Sequence, residues 1–83
     1  MFFHHLLLFL EVAIYQNINI PILFIHGKED NIIPVKSTEY IENNLTNKPF
    51  EYKYINNMGH SPSNYSQAIY LRRVITEWIN NKN

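Results

Sequence analysis

An 83-residue chain with seven basic residues, seven acidic residues and no cysteine is one small domain at most. Its zero net charge gives no long-range field for nucleic acid or an anionic membrane, and the lack of Cys excludes a disulfide scaffold, Cys-based zinc sites and a thiol nucleophile. So short a chain keeps much of its surface wet, which argues against a large catalytic cleft with its own walls.

The opening stretch, MFFHHLLLFLEVAIY, is the most apolar part. A signal peptide would need a cationic flank and a small-residue cleavage site; here His4 and His5 stand in front and Glu11 interrupts the run. A spanning helix needs about 20 apolar residues, more than this run supplies. The expectation is an amphipathic or buried helix over residues 1–17, ending near Gln16 and Asn17, with a targeting segment as the alternative. His4 and His5 have no carboxylate or third His at ligand spacing, so they read as solvent-side helix residues.

From Ile20 the pattern changes. IPILFIHG is a continuous apolar run between Pro21 and Gly27, as in a parallel strand covered on both faces. The polar loop KEDNIIP follows and closes at Pro34. Val35, Thr38, Ile41 and Leu45 then recur at spacings of three and four, predicting a helix over residues 35–45. After TNKP, the β-rich FEYKYI predicts a second strand over residues 50–55. The loop NNMGHSPSN holds the second and last glycine. Ala68, Leu71, Ile75 and Trp78, with Val74 and Ile79 alongside, mark a final helix from about Ser63 or Tyr65 to Asn80, with Ser61 as its N-cap and Pro62 in its first turn. Twelve Asn and twelve Ile make up 24 of the 83 residues, a codon-like bias. The pairs Asn43-Asn44, Asn56-Asn57 and Asn80-Asn81 therefore read as drift tolerated on turns and helix ends, not as an amide recognition site.

The order is helix, strand, helix, strand, helix, and the strand–helix–strand crossover should be parallel and right-handed. Two strands with unpaired outer edges are too few for a self-sufficient fold. The fold class is α/β: the end of a larger doubly wound parallel sheet, incomplete as a domain. In such sheets ligands bind beyond the carboxyl ends of the strands. Both loops leave such ends, one carrying Asp30 and the other His60. Neighbouring strands lie about 4.8 Å apart, close enough for the two side chains to meet. An Asp that accepts the imidazole Nδ1–H leaves Nε2 free as a base, the second half of a Ser–His–Asp triad.

PILFIHGKEDNIIP followed by INNMGHSP resembles the C-terminal portion of the α/β-hydrolase superfamily. The family pattern places a buried strand before Gly-x-x-Asp-x-x-(Ile/Val)-Pro, then a helix, another strand, and Gly-His before the last helix. Here those positions are Gly27, Asp30, Ile33 and Pro34, then Gly59 and His60. The resemblance spans about residues 19–80. It implies Asp30 as triad acid and His60 as triad base. On this reading residues 1–83 are a partial hydrolase domain, with the apolar helix at 1–17 and the acid strand, helix, His strand and final helix over 20–83. Glu29 is the nearest rival acid, but the motif spacing selects Asp30; Lys28 and Glu29 read as solvated. The bland reading of Asp30 is a turn residue beside Asn31. His26 could belong to an oxyanion loop, yet KEDNIIP follows it where Gly or aromatic residues would be expected, so His26 reads as structural.

The nucleophile elbow, Gly-x-Ser-x-Gly, cannot occur with Gly only at 27 and 59. Ser61 imitates one, but Pro62 after it has no N–H for an oxyanion hole. The expected function is the C-terminal part of a serine hydrolase of carboxylic-ester or thioester bonds, carrying the triad Asp and His without the nucleophile and inactive by itself. Gly59-His60-Ser61-Pro62 is similar to the monoglyceride-lipase and lysophospholipase-like branch, and LFIHGKEDNIIP to the protein-depalmitoylase-like branch. The alternative is a truncated, non-enzymatic relic that docks onto another chain. Expected partners are an acyl-ester or acyl-thioester substrate, the N-terminal portion of the hydrolase domain and, through residues 1–15, a membrane surface. No metal or organic cofactor is implied, and neither an address signal nor a redox clue fixes a compartment.

Overall fold

The computed structural model describes residues 11–82. The expected first helix lies within them only over residues 11–15, which are helical and end in a turn at Gln16 and Asn17; His4 and His5 lie outside. Strand β1 (Ile22–Gly27), helix α1 (Lys36–Asn44), strand β2 (Phe50–Ile55) and helix α2 (Tyr65–Lys82) follow in the expected order. Pro34 stops β1's loop and Val35 opens α1, whose last cap bond runs from the Leu45 N–H to the Ile41 carbonyl.

The two strands pair in parallel, with Ile22 opposite Phe50 and Gly27 opposite Ile55. Alternation then divides the sheet into two faces. Ile22, Phe24 and His26 share the α1 face with Phe50, Tyr52 and Tyr54. Ile41 of α1 and Leu45, just past its end, bury Phe50 there, and Val12, Tyr15, Ile18, Ile22, Phe24 and Tyr52 pack around them. Phe24 sits edge-on to Tyr15 and Phe50, at centroid distances of 5.3 and 5.6 Å, and stacks on Tyr52 at 5.1 Å. These are the arrangements aromatic quadrupoles favour. In an extended protein that completes the sheet, truncating the ring at the centre of this cluster, Phe50→Ala, is expected to cost about 3 kcal/mol in urea unfolding; a loss below about 1 kcal/mol would show the cluster to be incidental.

At the carboxyl end of the sheet the same face turns polar. His26 and Tyr54 are register partners, and each reaches α1, at Thr38 and at Glu42 one turn later. The Tyr54 hydroxyl donates to Glu42 Oε1 at 2.6 Å. Burial first, and then the Glu42 hydrogen bond and charge, raise the phenol's pKa far above the ordinary tyrosine value.

The α2 face is covered more thinly than a continuous apolar strand suggested. No residue of α2 is buried, and Leu23 and Ile25, the apolar β1 residues on this face, are only half-buried. An open groove of about 270 Å³ runs between Leu23, Glu51 and Lys53 of the sheet and Tyr70, Val74 and Trp78 of α2. The helix is fastened near its two ends instead. Gln67 Nε2 donates to the Asn57 carbonyl at 2.7 Å, and Lys82 Nζ lies 3.3 Å from Glu51 Oε2. Among the described residues the sheet has two strands and open outer edges, so the fold is a small, incomplete α/β fragment.

The start of α2 corrects one expectation. Ser61 does not cap the helix, and Pro62 precedes it by three residues. Asn64 is the cap: its Oδ1 accepts the Gln67 N–H at 2.9 Å, and its carbonyl accepts the Ala68 N–H at 3.1 Å. The Gln67 side chain reaches back to the Ser63 N–H at 2.8 Å, which fixes the chain's entry into the helix. The Asn pairs do lie at helix ends and in the turn after β2. Asn57 has its own reason to be there, since its φ of 62° is the left-handed conformation that Asn tolerates and branched residues avoid.

Candidate active site

Both candidate residues stand in the loops that leave the carboxyl ends of the parallel strands. After Gly27 the chain turns, with the Asp30 N–H on the Gly27 carbonyl at 3.3 Å. Asp30 then folds its own loop: Oδ1 accepts the N–H groups of Ile32 and Ile33, each at 2.8 Å. Asx turns of this kind use one carboxylate oxygen for the backbone and leave the other free. Oδ2 points across to the second loop.

That loop is drawn against the first by backbone bonds. Lys28 N–H donates to the Ile55 carbonyl and Glu29 N–H to the Met58 carbonyl, both at 2.9 Å. The approach is close enough that only glycine fits at position 27. A Cβ there would overlap the carbonyl oxygens of Gly59 and Met58 and lie 2.7 Å from the Met58 carbonyl carbon. Neither glycine has a positive φ, so space is the reason, not backbone strain. A Cβ on Gly59 would meet nothing nearer than the Glu29 carbonyl oxygen at 3.7 Å.

His60 Nδ1 lies 3.1 Å from Asp30 Oδ2. Because a carboxylate only accepts, Nδ1–H donates, and Nε2 of the neutral ring carries a lone pair. The Asp30 side chain is 5% exposed and the His60 side chain 50% exposed, so the imidazole faces outward from a shielded acid. Burial pushes the Asp30 carboxyl up. The Ile33 and Ile32 N–H groups, and then the His60 hydrogen bond and charge, outweigh it, and the carboxyl rests below the ordinary aspartate value.

A carboxyl whose folded pKa is depressed adds stability above its unfolded pKa and loses it as pH falls through the folded value. In an extended protein that completes the sheet, the difference in urea midpoint between neutral and acid solution is therefore expected to be larger for the wild type than for Asp30→Asn. Equal differences would show that the carboxylate's bonds contribute nothing.

His26, which reads as structural in the sequence, has its ring in the same cluster, with Nε2 3.3 Å from Asp30 Oδ2. Strand parity was the available signal, because His26 shares a face with Phe24 and thus points at α1 and the returning loop. Ser61 lies beside His60 and precedes Pro62, so it has no following N–H to offer an oxyanion. Among the described residues no cluster of three or more His, Cys, Asp or Glu side chains could hold a metal ion, and no helix is long and apolar enough to cross a membrane.

Residues 1–77 match the family model described as the dienelactone hydrolase family, whose members belong to the α/β-hydrolase clan. No curated protein matches the sequence. A match over most of the chain, joined to a parallel strand–helix–strand unit of the α/β type, identifies this polypeptide as a member of the dienelactone hydrolase family.

Proposed function

We propose that the chain supplies the acid and base of a hydrolase acting on carboxylic-ester or thioester bonds. His60 Nε2 takes the proton of a serine hydroxyl as that oxygen attacks the acyl carbon, then returns it to the leaving group. Asp30 holds the ring by Nδ1 and stabilises the imidazolium formed between the two steps. The serine comes from a strand–Gly-x-Ser-x-Gly–helix segment outside this sequence, so the 83 residues alone perform no turnover.

The observation that carries this reading is the 3.1 Å approach of His60 Nδ1 to a carboxylate already saturated by backbone on its other oxygen. The family's name adds weight, since a lactone is a cyclic ester. The resemblance of Gly59-His60-Ser61-Pro62 to the monoglyceride-lipase and lysophospholipase-like branch, and of LFIHGKEDNIIP to the protein-depalmitoylase-like branch, supports an acyl-lipid type of substrate.

The test starts with the coding sequence upstream of this chain, translated in every frame. Where it supplies the elbow, the extended protein is expected to hydrolyse p-nitrophenyl esters, and His60→Ala to abolish that turnover. The 83-residue chain alone should take no fluorophosphonate label. Turnover that survives His60→Ala, or a covalent adduct on the short chain, would refute the assignment.

A further inference from the structure

Two imidazoles, not one, stand against the Asp30 carboxylate. His26 closes β1 on the α1 face with its side chain 9% exposed, and both ring nitrogens are engaged. Nε2 is 2.7 Å from the Ile33 carbonyl oxygen and 3.3 Å from Asp30 Oδ2. Nδ1 is 2.7 Å from Thr38 Oγ1 in the first turn of α1. These partners fix the protons. A carbonyl only accepts, so Nε2 carries the hydrogen, and Nδ1 of the neutral ring accepts from the Thr38 hydroxyl.

The same N–H edge therefore meets the Ile33 carbonyl and lies against the Asp30 carboxylate. Ile33 is also a residue whose N–H binds Asp30 Oδ1. One buried ring thus ties the end of β1 to the end of the loop and closes the turn in which Asp30 sits.

We propose that His26 is a positioning residue: its Nε2–H holds the Asp30 loop shut and keeps Oδ2 turned toward His60, with Thr38 fixing its tautomer. This rests on the pairing of Asp30 with His60 and extends it inward by one residue. A ring that merely filled space would be replaceable by Leu with no consequence at His60. A ring that orients Oδ2 would not be.

The imidazole nitrogen NMR spectrum of the 83-residue chain tests this. It is recorded in mildly alkaline solution, where imidazoles are neutral, with sucrose as an excluded osmolyte that favours the folded state. The wild type is expected to show His26 as the Nε2–H tautomer and His60 as Nδ1–H. In His26→Leu, with the amide contacts between β1 and β2 retained, His60 should lose its Nδ1–H preference as fully as in Asp30→Asn. His26→Gln, whose amide N–H can reach the Ile33 carbonyl, should restore it.

An unchanged His60 in His26→Leu, against a changed one in Asp30→Asn, overturns the proposal and leaves the Asp30–His60 pair standing. No change in Asp30→Asn sinks the pair as well. If His26→Leu does not fold, Thr38→Val decides. Removing the partner of Nδ1 should mix the His26 tautomers and weaken the His60 preference, and a His60 signal like the wild type's overturns the proposal. So does a wild-type His26 found as Nδ1–H.

Discussion

Gly27→Ala is expected to break the candidate site apart while Gly59→Ala leaves it in place. The added methyl at 27 meets backbone atoms of Met58 and Gly59, which cannot rotate away as a side chain would. Relief requires the whole second loop to lift, and with it go the Lys28 and Glu29 bonds to Ile55 and Met58 and the approach of His60 to Asp30. The cost should reach about 3 kcal/mol, the upper end for overpacking. At 59 the nearest obstacle is at ordinary van der Waals distance, so the change should stay within about 0.5 kcal/mol. Urea unfolding of the two variants side by side, in an extended protein that completes the sheet, checks the contrast. Equal midpoints would mean that the close approach of the loops is not a determinant of the fold.

In an extended protein that carries the nucleophile, Asp30→Asn should lower kcat by something of the order of 10⁴-fold and leave KM almost unmoved. Asparagine can still accept the Ile32 and Ile33 N–H groups through Oδ1, so the loop keeps its shape. The atom facing His60 becomes an N–H₂, which donates where the carboxylate accepted. His60 then holds its proton on Nε2, the nitrogen that must be bare to act as a base. The loss therefore comes from the wrong tautomer and the missing negative charge, not from unfolding. A decrease of less than about tenfold would show that His60 draws no catalytic benefit from Asp30.

The architecture was legible because its signals are local. An apolar run ended by Gly27, a three-four spacing from Val35 to Leu45, and a β-rich FEYKYI each name one element without reference to the rest. The positions of Asp30 and His60 at the strand ends follow from that order. What pattern reading could not supply depends on contacts between elements. Ser61, Ser63 and Asn64 are all capable caps, and the choice of Asn64 is made by Gln67, whose amide also reaches the Asn57 carbonyl across the loop. His26 looks inert in a linear reading because Thr38 and Ile33 approach it only once α1 has docked. The thin cover over Leu23 and Ile25 is likewise invisible in a run of apolar letters, since hydrophobicity reports what a strand would bury, not what is present to bury it.

The pairing of Ile22 with Phe50 through Gly27 with Ile55 makes the ladder a ruler for the chemistry beyond it. A residue inserted into either strand would slide one loop past the other by about 3.3 Å. It would also exchange the two faces of that strand, carrying His26 or Tyr54 away from α1. Insertions should therefore be tolerated in the turn over residues 46–48, outside both α1 and β2, and not in the two hexapeptides whose equal count brings a carboxylate level with an imidazole.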